Sequence, residues 1–398
     1  MNRKYNLAED TITREDLNAL ADWLKSDPPP RLTMGPKVMQ YEEKWSNWLG
    51  RKYSVSCNSG SSANLLMYYA LLRSGRLKNK KVIVPSAAWV TTVAPAIQLG
   101  FEPIMCEADY DTCGLNLKHL KQLLEEHHPG TVMFVQVLGV PNDMNNLMEL
   151  KKIYDFFLLE DACAAMGSSY HSRKVGTFGD MASMSTYYGH QFSTIEGGLV
   201  STDDKDLYNM LLMLRSHGWV AHLDPKVRTK LLKKYELEDI GTNFVFCEPG
   251  FNFRLTDLQA FIGLRQLDRM EWMIERRFEN HRLYKKLLIG SFATQIYDNI
   301  TTVCSIHFCA LANNYEERNI IIKALEEADI ETRPFTSGNQ GLQPYWVREY
   351  GKFFGFMANK LYRCGFFLPN HLYMQKKDIE YICSVAKKAA QDFRKGGK

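Results

Sequence analysis

The sequence predicts an α/β fold in which a largely parallel sheet, covered by helices, is followed by a smaller α+β region. First, short apolar runs alternate with helical patterns through the first two thirds of the 398 residues, an order typical of βαβ units. Second, the pattern changes after about residue 290, where the strands and helices suit a smaller domain. Third, a composition of 45% apolar and 24% charged residues is ordinary for a globular protein.

Six apolar runs are predicted to be strands of the main sheet. They lie at 81–85, 102–109, 131–139, 156–161, 182–188 and 198–204. Helices are predicted at 13–26, at 61–74 and along an amphipathic stretch from 256 to 288. In the last third we expect strands near 302–311 and 330–335, a helix near 315–328 between them, and a final helix near 376–394. We therefore place a large domain at 1–275 and a small domain at 276–398.

Charge and cysteine content exclude several classes of function. The formal charge of +4 is too small and too dispersed to indicate nucleic-acid binding. The nine cysteines form no CxxC pair, so we expect reduced thiols in a cytoplasmic protein and no metal site. The polar first residues and the lack of a long apolar run predict neither an export signal nor a membrane span.

Three sequence features could carry chemistry. The small-residue turn at 58–62 leads into a helix, and unpaired N–H groups at a helix N-terminus favour an anion. Asp161 closes a predicted parallel strand, at the edge where open α/β sheets bind ligands. His190 follows the next strand and is flanked by hydroxyl residues. Each has an ordinary alternative: a capped helix, a turn residue and a structural histidine.

In chain order, these features meet the needs of pyridoxal phosphate (PLP). The phosphate needs a helix N-terminus and hydroxyls, and the pyridine nitrogen needs a carboxylate. The ring needs an aromatic face, for which Trp89 is the candidate, and a base must reach carbon C4′.

Motifs along nearly the whole chain resemble one known family. They are GPKVMQYEEKWSNWLG (35–50), NSGSSAN (58–64), PSAAWV (85–90), LLEDACAAMGSSY (158–170), FGDMASMSTYYGH (178–190), EGGLVSTDD (196–204), GFNFRLTDLQAFIGLRQL (250–267) and LPNH (368–371). This order is similar to that of the DegT/DnrJ/EryC1/StrS sugar aminotransferase family. The resemblance implies the aspartate aminotransferase (type I) PLP-dependent fold, with a mostly parallel seven-stranded sheet and a smaller C-terminal α+β domain. It also implies a homodimer with composite active sites.

The resemblance assigns roles to named residues. It implies His190 as the base, Asp161 on the pyridine nitrogen and Trp89 on the ring. It places Gly60, Ser61 and Ser185 on the phosphate, with Asn252 reaching it from the neighbouring subunit. For the sugar it suggests His217, Glu331, Arg333 and Asn339. At Ala164 the sequence departs from the family, which usually has a glutamine or histidine there to bind the cofactor's phenolic oxygen.

A second departure indicates the reaction. Aminotransferases of the family have a lysine at the position of His190, and no lysine lies between Lys174 and Lys205. Imidazole cannot form the Schiff base that lysine forms, but its ordinary pKa near 6.5 suits a general base. This exchange resembles the family's sugar 3-dehydratases. There PLP takes an amino group from L-glutamate to become pyridoxamine phosphate, and the C3 hydroxyl of a nucleotide-linked 4-keto-6-deoxy sugar leaves as water.

Two types of these dehydratases differ in their cysteines. The type that acts on a CDP-linked sugar binds an iron–sulfur cluster through Cys-x-Cys-x₇-Cys after the histidine. Here only Cys247 lies between Cys163 and Cys304, so the resemblance favours the cluster-free type, which acts on GDP-4-keto-6-deoxymannose. Two alternatives stay open, an aminotransferase that makes a 4-amino sugar and an inert sugar-binding relative. The sequence leaves the nucleotide and the sugar's stereochemistry open.

Overall fold

The computed structural model describes residues 4–237, 244–335 and 338–396. Its strands are β1 (Tyr53–Cys57), β2 (Lys81–Pro85), β3 (Glu102–Cys106), β4 (Thr131–Val135), β5 (Phe157–Asp161), β6 (Ser169–Tyr170), β7 (Arg173–Lys174), β8 (Met181–Ser185), β9 (Gly198–Thr202), β10 (Ala293–Thr294), β11 (His307–Leu311) and β12 (Gly365–Pro369). Its α-helices are α1 (Arg14–Leu24), α2 (Pro36–Leu49), α3 (Gly60–Arg73), α4 (Val90–Gln98), α5 (Leu117–His127), α6 (Met144–Tyr154), α7 (Lys205–Arg215), α8 (Pro225–Lys234), α9 (Asp257–Leu267), α10 (Met270–Leu288), α11 (Tyr315–Glu327), α12 (Pro344–Tyr350), α13 (Phe356–Cys364) and α14 (Lys376–Gly396).

The main sheet has seven strands in the order β1-β9-β8-β5-β4-β2-β3. Strand β9 runs antiparallel to both of its neighbours, and the remaining pairs are parallel. The predicted mostly parallel seven-stranded sheet is therefore confirmed. Because parallel strands end at one edge, Asp161 at the end of β5 and Ser185 at the end of β8 lie at the same edge, where such sheets bind ligands.

Helices cover both faces of this sheet, which explains the continuous apolar runs of its central strands. Successive residues of a strand point to opposite faces. Val82 and Val84 accordingly pack into one buried cluster with α3 and α7, while Ile83 packs into another with α5 and α6. The strands β4, β5, β8 and β9 consist almost entirely of buried residues.

A smaller region follows α9. A three-stranded antiparallel sheet in the order β10-β11-β12 packs against α11 and α14 around its own apolar cluster, which includes Tyr284, Phe308, Ile321 and Ile382. The predicted domain boundary after residue 275 falls inside α10, so one continuous helix crosses it. Among the described helices, none combines the length and the apolar character that a membrane crossing requires.

Several predicted elements are wrong in detail. The helix predicted at 256–288 is two helices, because Arg269 leaves helical geometry with ψ near 3°. The strand predicted at 330–335 makes only isolated bridges, from Ile330 to Tyr5 and from Pro334 to Phe366. Extended backbone without a continuous ladder looks like a strand in sequence, because the residue types are the same. Strands β1 (Tyr53–Cys57) and β12 (Gly365–Pro369) were not predicted.

Candidate active site

A cleft of about 1040 Å³ opens at the carboxyl edge of the main sheet. One wall is formed by the ends of β4, β5 and β8 and by the start of α3. The opposite wall is formed by the N-terminal residues 6–10 and by parts of the smaller region, including His307, Glu331, Arg333 and Phe367. Of the predicted site residues, Gly60, Ser61, Trp89, Asp161, Ser185, His190, Glu331 and Arg333 line this one cleft.

The turn before α3 has the geometry of an anion site. Ser59 caps the helix, and its Oγ accepts a hydrogen bond from the Ser62 N–H at 3.0 Å. The preceding N–H groups, of Gly60 and Ser61, lie in the first turn, where a helix offers no partner of its own. A Cβ on Gly60 would lie 2.5 Å from the Cβ of Ser185. Only glycine therefore lets this turn approach the buried Ser185 hydroxyl.

Asp161 is held in one orientation by three donors. Its Oδ2 accepts hydrogen bonds from Asn64 Nδ2 at 2.8 Å and from Thr92 Oγ1 at 2.7 Å. Its Oδ1 accepts one from the Cys163 N–H at 3.1 Å. Asn64 is fixed in turn by the Ser183 hydroxyl, 2.6 Å from its Oδ1. A buried, oriented carboxylate at a sheet edge suits a cationic ring nitrogen.

Trp89 and Ala164 form other parts of the same wall. Trp89 precedes α4, and its side chain is 51% exposed at the cleft. Such an indole offers an apolar face to a planar ring. Ala164 also lines the cleft, and its methyl group offers no hydrogen bond to a ligand's oxygen.

His190 lies half-buried in the loop after β8, with its N–H donating to the Tyr187 carbonyl at 2.9 Å. Burial lowers the pKa of its imidazole to about 4, against the opposing effects of the Asp161 charge and the Cys163 backbone. The imidazole is therefore neutral at pH 7 and able to accept a proton. No lysine is found among the described residues that line the cleft.

Glu331 and Arg333 project into the cleft from the opposite wall. The Leu7 N–H donates to Glu331 Oε2 at 2.7 Å, which ties the N-terminal segment to this wall. The Arg333 guanidinium lies 5.2 Å from the centre of the Phe367 ring. Burial lowers the pKa of Arg333 while Glu331 raises it, and a guanidinium stays charged throughout the physiological range. This wall thus presents both a cation and a carboxylate.

Three predicted residues lie outside the cleft of their own chain. His217 and Asn252 are exposed on neighbouring loops, which meet where Ser216 bridges Asn252. Asn339 is only 1% exposed. Its side chain donates to the Phe353 carbonyl at 3.0 Å and to Asn359 at 2.9 Å, and accepts from the Gly341 N–H at 2.8 Å. The amide of Asn339 is thus fully used inside the segment that it stabilises.

The structure adds residues that the sequence analysis did not identify. Asn64 and Thr92 orient Asp161, and His307 lies in the opposite wall. The position of Asn64, one helical turn after Gly60, was a usable signal because both lie on one face of α3. The sequence does not indicate that His307 lines a cleft, because His307 lies in an apolar run that is typical of a buried strand. In the described part of the chain, no three histidine, cysteine or acidic side chains are placed to hold a metal ion.

Known proteins resemble this chain over nearly its whole length. The model of the DegT/DnrJ/EryC1/StrS aminotransferase family matches residues 10–387. The GDP-4-keto-6-deoxy-D-mannose 3-dehydratase of Yersinia pseudotuberculosis is 32% identical over 396 residues, which cover 96% of this chain and 98% of that protein. The GDP-perosamine synthase of Escherichia coli O157:H7 is 28% identical over 88% of this chain and 89% of its own.

The fold also matches a solved structure. A GDP-4-keto-6-deoxy-D-mannose-3-dehydratase from E. coli with bound hydrated PLP superimposes with a TM-score of 0.87 at 27% identity, covering 97% of this chain and 100% of that one. This similarity confirms the predicted type I α/β fold. Because the family model covers well over half of the sequence, the chain belongs to the DegT/DnrJ/EryC1/StrS aminotransferase family.

Proposed function

We propose that this chain is a PLP-dependent nucleotide-sugar 3-dehydratase. Its substrate would be GDP-4-keto-6-deoxy-D-mannose and its amino donor L-glutamate, giving a 4-keto-3,6-dideoxy sugar, 2-oxoglutarate and ammonia. The water lost from C3 of the sugar is balanced by the water consumed when ammonia is released. One observation carries the proposal: the described residues that line the cleft include His190 but no lysine, and the resemblance implies that His190 stands at the family's lysine position. The 32% identity to a protein named as such a dehydratase supports it, against 28% for a GDP-perosamine synthase.

The residues present fit the cofactor. Gly60, Ser61 and Ser185 would hold the phosphate. Because Gly60 has no side chain, the N–H groups at the start of α3 lie close to the Ser185 hydroxyl. Asp161 would hold the pyridine nitrogen, and Trp89 would cover the ring. Once bound, the cofactor would supply an amine attached to an electron-withdrawing ring.

His190 would act as the base without a covalent bond to the cofactor. Its neutral imidazole would take a proton from the cofactor's C4′ and would deliver a proton to the C3 hydroxyl of the sugar, which leaves as water. A lysine here would hold the cofactor covalently, whereas a histidine leaves the cofactor's amine free for the C4 ketone of the sugar. The buried carboxylate of Asp161 would keep the ring nitrogen protonated while that proton is moved.

Glu331 and Arg333 would bind the sugar nucleotide from the opposite wall. In a homodimer, His217 and Asn252 of one copy would complete the cleft of the other, since both are exposed outside their own cleft. The amide of Asn339 has its hydrogen bonds within its own segment, so Asn339 would act on the sugar indirectly, by stabilising the conformation of that segment. The proposal includes no iron–sulfur cluster, because the cysteine spacing of the cluster-binding type is lacking.

The test is to incubate the pure protein with PLP, L-glutamate and GDP-4-keto-6-deoxymannose. We expect a nucleotide sugar lighter by one oxygen atom, with ammonia and 2-oxoglutarate formed in equal amounts, as measured by mass spectrometry and coupled assays. His190→Asn should abolish the product. His171→Asn is the control, because His171 lies outside the cleft in contact with Asp298.

Two results would contradict the proposal. A product that keeps its oxygen and gains nitrogen would identify an aminotransferase. A protein that converts neither glutamate nor sugar would fit an inert sugar-binding relative. If glutamate converts the cofactor but this sugar is untouched, the same assay with CDP- and dTDP-linked sugars would show whether only the nucleotide was assigned wrongly.

A further inference from the structure

Arg277 is a buried cation without a carboxylate partner among the described residues. It lies on α10 and is 3% exposed. Its Nη2 lies 3.3 Å from the His190 carbonyl oxygen and 3.5 Å from that of Gln191. Its Nη1 contacts the Asn370 carbonyl closely and lies 3.5 Å from that of Ser305. The guanidinium therefore joins three separate segments of backbone.

Such an arrangement is costly, and this argues for a function. Burial lowers the pKa of Arg277, but a guanidinium remains protonated and has to be solvated by dipoles. Backbone carbonyls supply those dipoles here, while Nε has no partner in the described structure. A hydrophobic side chain of similar size would commonly stabilise a core as well as a buried charge does.

We infer that Arg277 is a positioning residue for His190, because its contacts with the His190 and Gln191 carbonyls fix the loop that carries the histidine. This inference rests on the proposed role of His190 as the base. It assigns a role in the reaction to a side chain that the sequence analysis did not identify, on the helix that crosses the predicted domain boundary.

The charges around His190 come from several elements. Asp161, from β5, favours the protonated imidazole, whereas Arg277 and Arg333 disfavour it. The neighbouring His307, from β11, has its own pKa lowered by burial and by the same two arginines. Arg333 lies in the cleft and would be engaged by a bound substrate. Arg277 is buried and is not among the described residues that line the cleft.

The LPNH motif at 368–371 holds Arg277 from the other side. Asn370 Nδ2 donates to the Arg277 carbonyl at 3.3 Å and to the Ser305 Oγ at 2.8 Å. The Ser305 Oγ is also 2.9 Å from His281 Nδ1, one helical turn further along α10. The motif thereby holds in place two of the carbonyls that Arg277 contacts.

The test measures His190 in the full-length protein without cofactor, so it does not depend on the reaction. The ten histidines are labelled at ¹³Cε1, the His190 signal is assigned with His190→Asn, and its titration midpoint is read by NMR. Arg277→Met should raise that midpoint by about one pH unit, whereas Arg277→Lys should leave it close to wild type. The matched control is Arg282→Met, since Arg282 is exposed on the same helix and lies over the Phe278 ring.

An unchanged midpoint in Arg277→Met, with wild-type circular dichroism, would overturn the inference. If Arg277→Met does not fold, Arg277→Gln replaces it, because the amide keeps a donor but carries no charge. The same rise is then expected, and an unchanged midpoint counts equally against the inference. A raised midpoint in a protein that fails the dehydratase assay would separate this inference from the proposed function.

Discussion

On one side of the cleft, the carboxylate of Asp161 accepts hydrogen bonds from Asn64 on α3, from Thr92 on α4 and from the backbone N–H of Cys163. On the other side, Glu331 accepts one bond from the N-terminal segment and Arg333 lies over an aromatic ring. We call the first set, Gly60, Ser61, Asp161 and Ser185, the cofactor side. The second set, His307, Glu331 and Arg333, is the sugar side. The cofactor side lies on strand ends and a helix start, and the sugar side lies mostly on connecting segments.

The two sides differ in how strongly the fold fixes the positions of their residues. Strand ends and helix starts are positioned by the whole sheet, so the backbone of the cofactor side cannot shift without disturbing the core. Connecting segments depend on few contacts, so the sugar side can vary while the fold persists. Changes on the first side should therefore abolish reaction, and changes on the second should alter substrate binding.

The largest expected effect is acid destabilisation of the smaller region. His281, His307 and His371 are buried, and burial lowers the pKa of His281 to about 3 and that of His371 to about 4, with His307 lowered as well. In the unfolded chain these histidines become protonated near pH 6.5, whereas in the folded chain they stay neutral to a much lower pH. Their contribution to the stability of the fold is therefore complete above pH 6.5 and is lost as the pH falls towards 4. We expect these three histidines by themselves to lower the unfolding free energy by about 5 kcal/mol between pH 7 and pH 5.

Urea denaturation at the two pH values measures this drop. Hydrogen exchange at pH 5 should show 307–311 and 365–369 opening before 157–161, which would sharpen the contrast between the two sides. His371→Asn should reduce the pH dependence by about a quarter, because His190 contributes besides the three, and His128→Asn, at an exposed position, should leave it unchanged. Equal opening of both sides would contradict the prediction.

The next effect concerns the cofactor side. Asp161→Asn removes the carboxylate but keeps the shape of the side chain, so we expect a folded protein whose kcat/KM falls by about 1000-fold. Steady-state kinetics with the nucleotide sugar measure it. Asp298→Asn, at an exposed position outside the cleft, should stay within about twofold of wild type. If kcat/KM of Asp161→Asn falls by less than tenfold, Asp161 does not have the proposed role.

A smaller effect is expected on the sugar side. Arg333→Ala should raise KM for the nucleotide sugar by about 30-fold, because a charge-assisted contact is lost. The glutamate half of the reaction, followed by cofactor absorbance, should be little changed. Arg348→Ala is the control, since Arg348 is largely exposed on α12. Equal losses in both half-reactions would show that the two sides are not separable.

The smallest effect is expected at Asn339. Asn339→Ala removes three hydrogen bonds within one segment, so we expect a loss of about 2 kcal/mol of stability with KM unchanged. Thermal unfolding and steady-state kinetics measure the two quantities. A raised KM without loss of stability would show instead that Asn339 contacts the nucleotide sugar.

The cofactor side was accessible from sequence for a physical reason. Asp161 closes an apolar strand and Gly60 opens a helix, and both signals are local. The sugar side was harder, because Glu331 and Arg333 were identified by resemblance alone and the strand expected around them is absent. Asn339 shows the limit: a polar residue in a motif does not reveal whether its amide faces a ligand or its own segment. His307 and Arg277 depend on contacts between distant segments, which no local pattern encodes.

The antiparallel strand β9 has a consequence for synthesis of the chain. Within the described sheet β1 pairs only with β9, and Cys57, just before the turn that leads into α3, pairs with Gly198. The partner strand leaves the ribosome well over a hundred residues later, a delay on the order of ten seconds. The first part of the pocket to be made is thus among the last to be completed. A nascent or truncated chain that ends before β9 exposes the edge of β8, and such an edge invites aggregation.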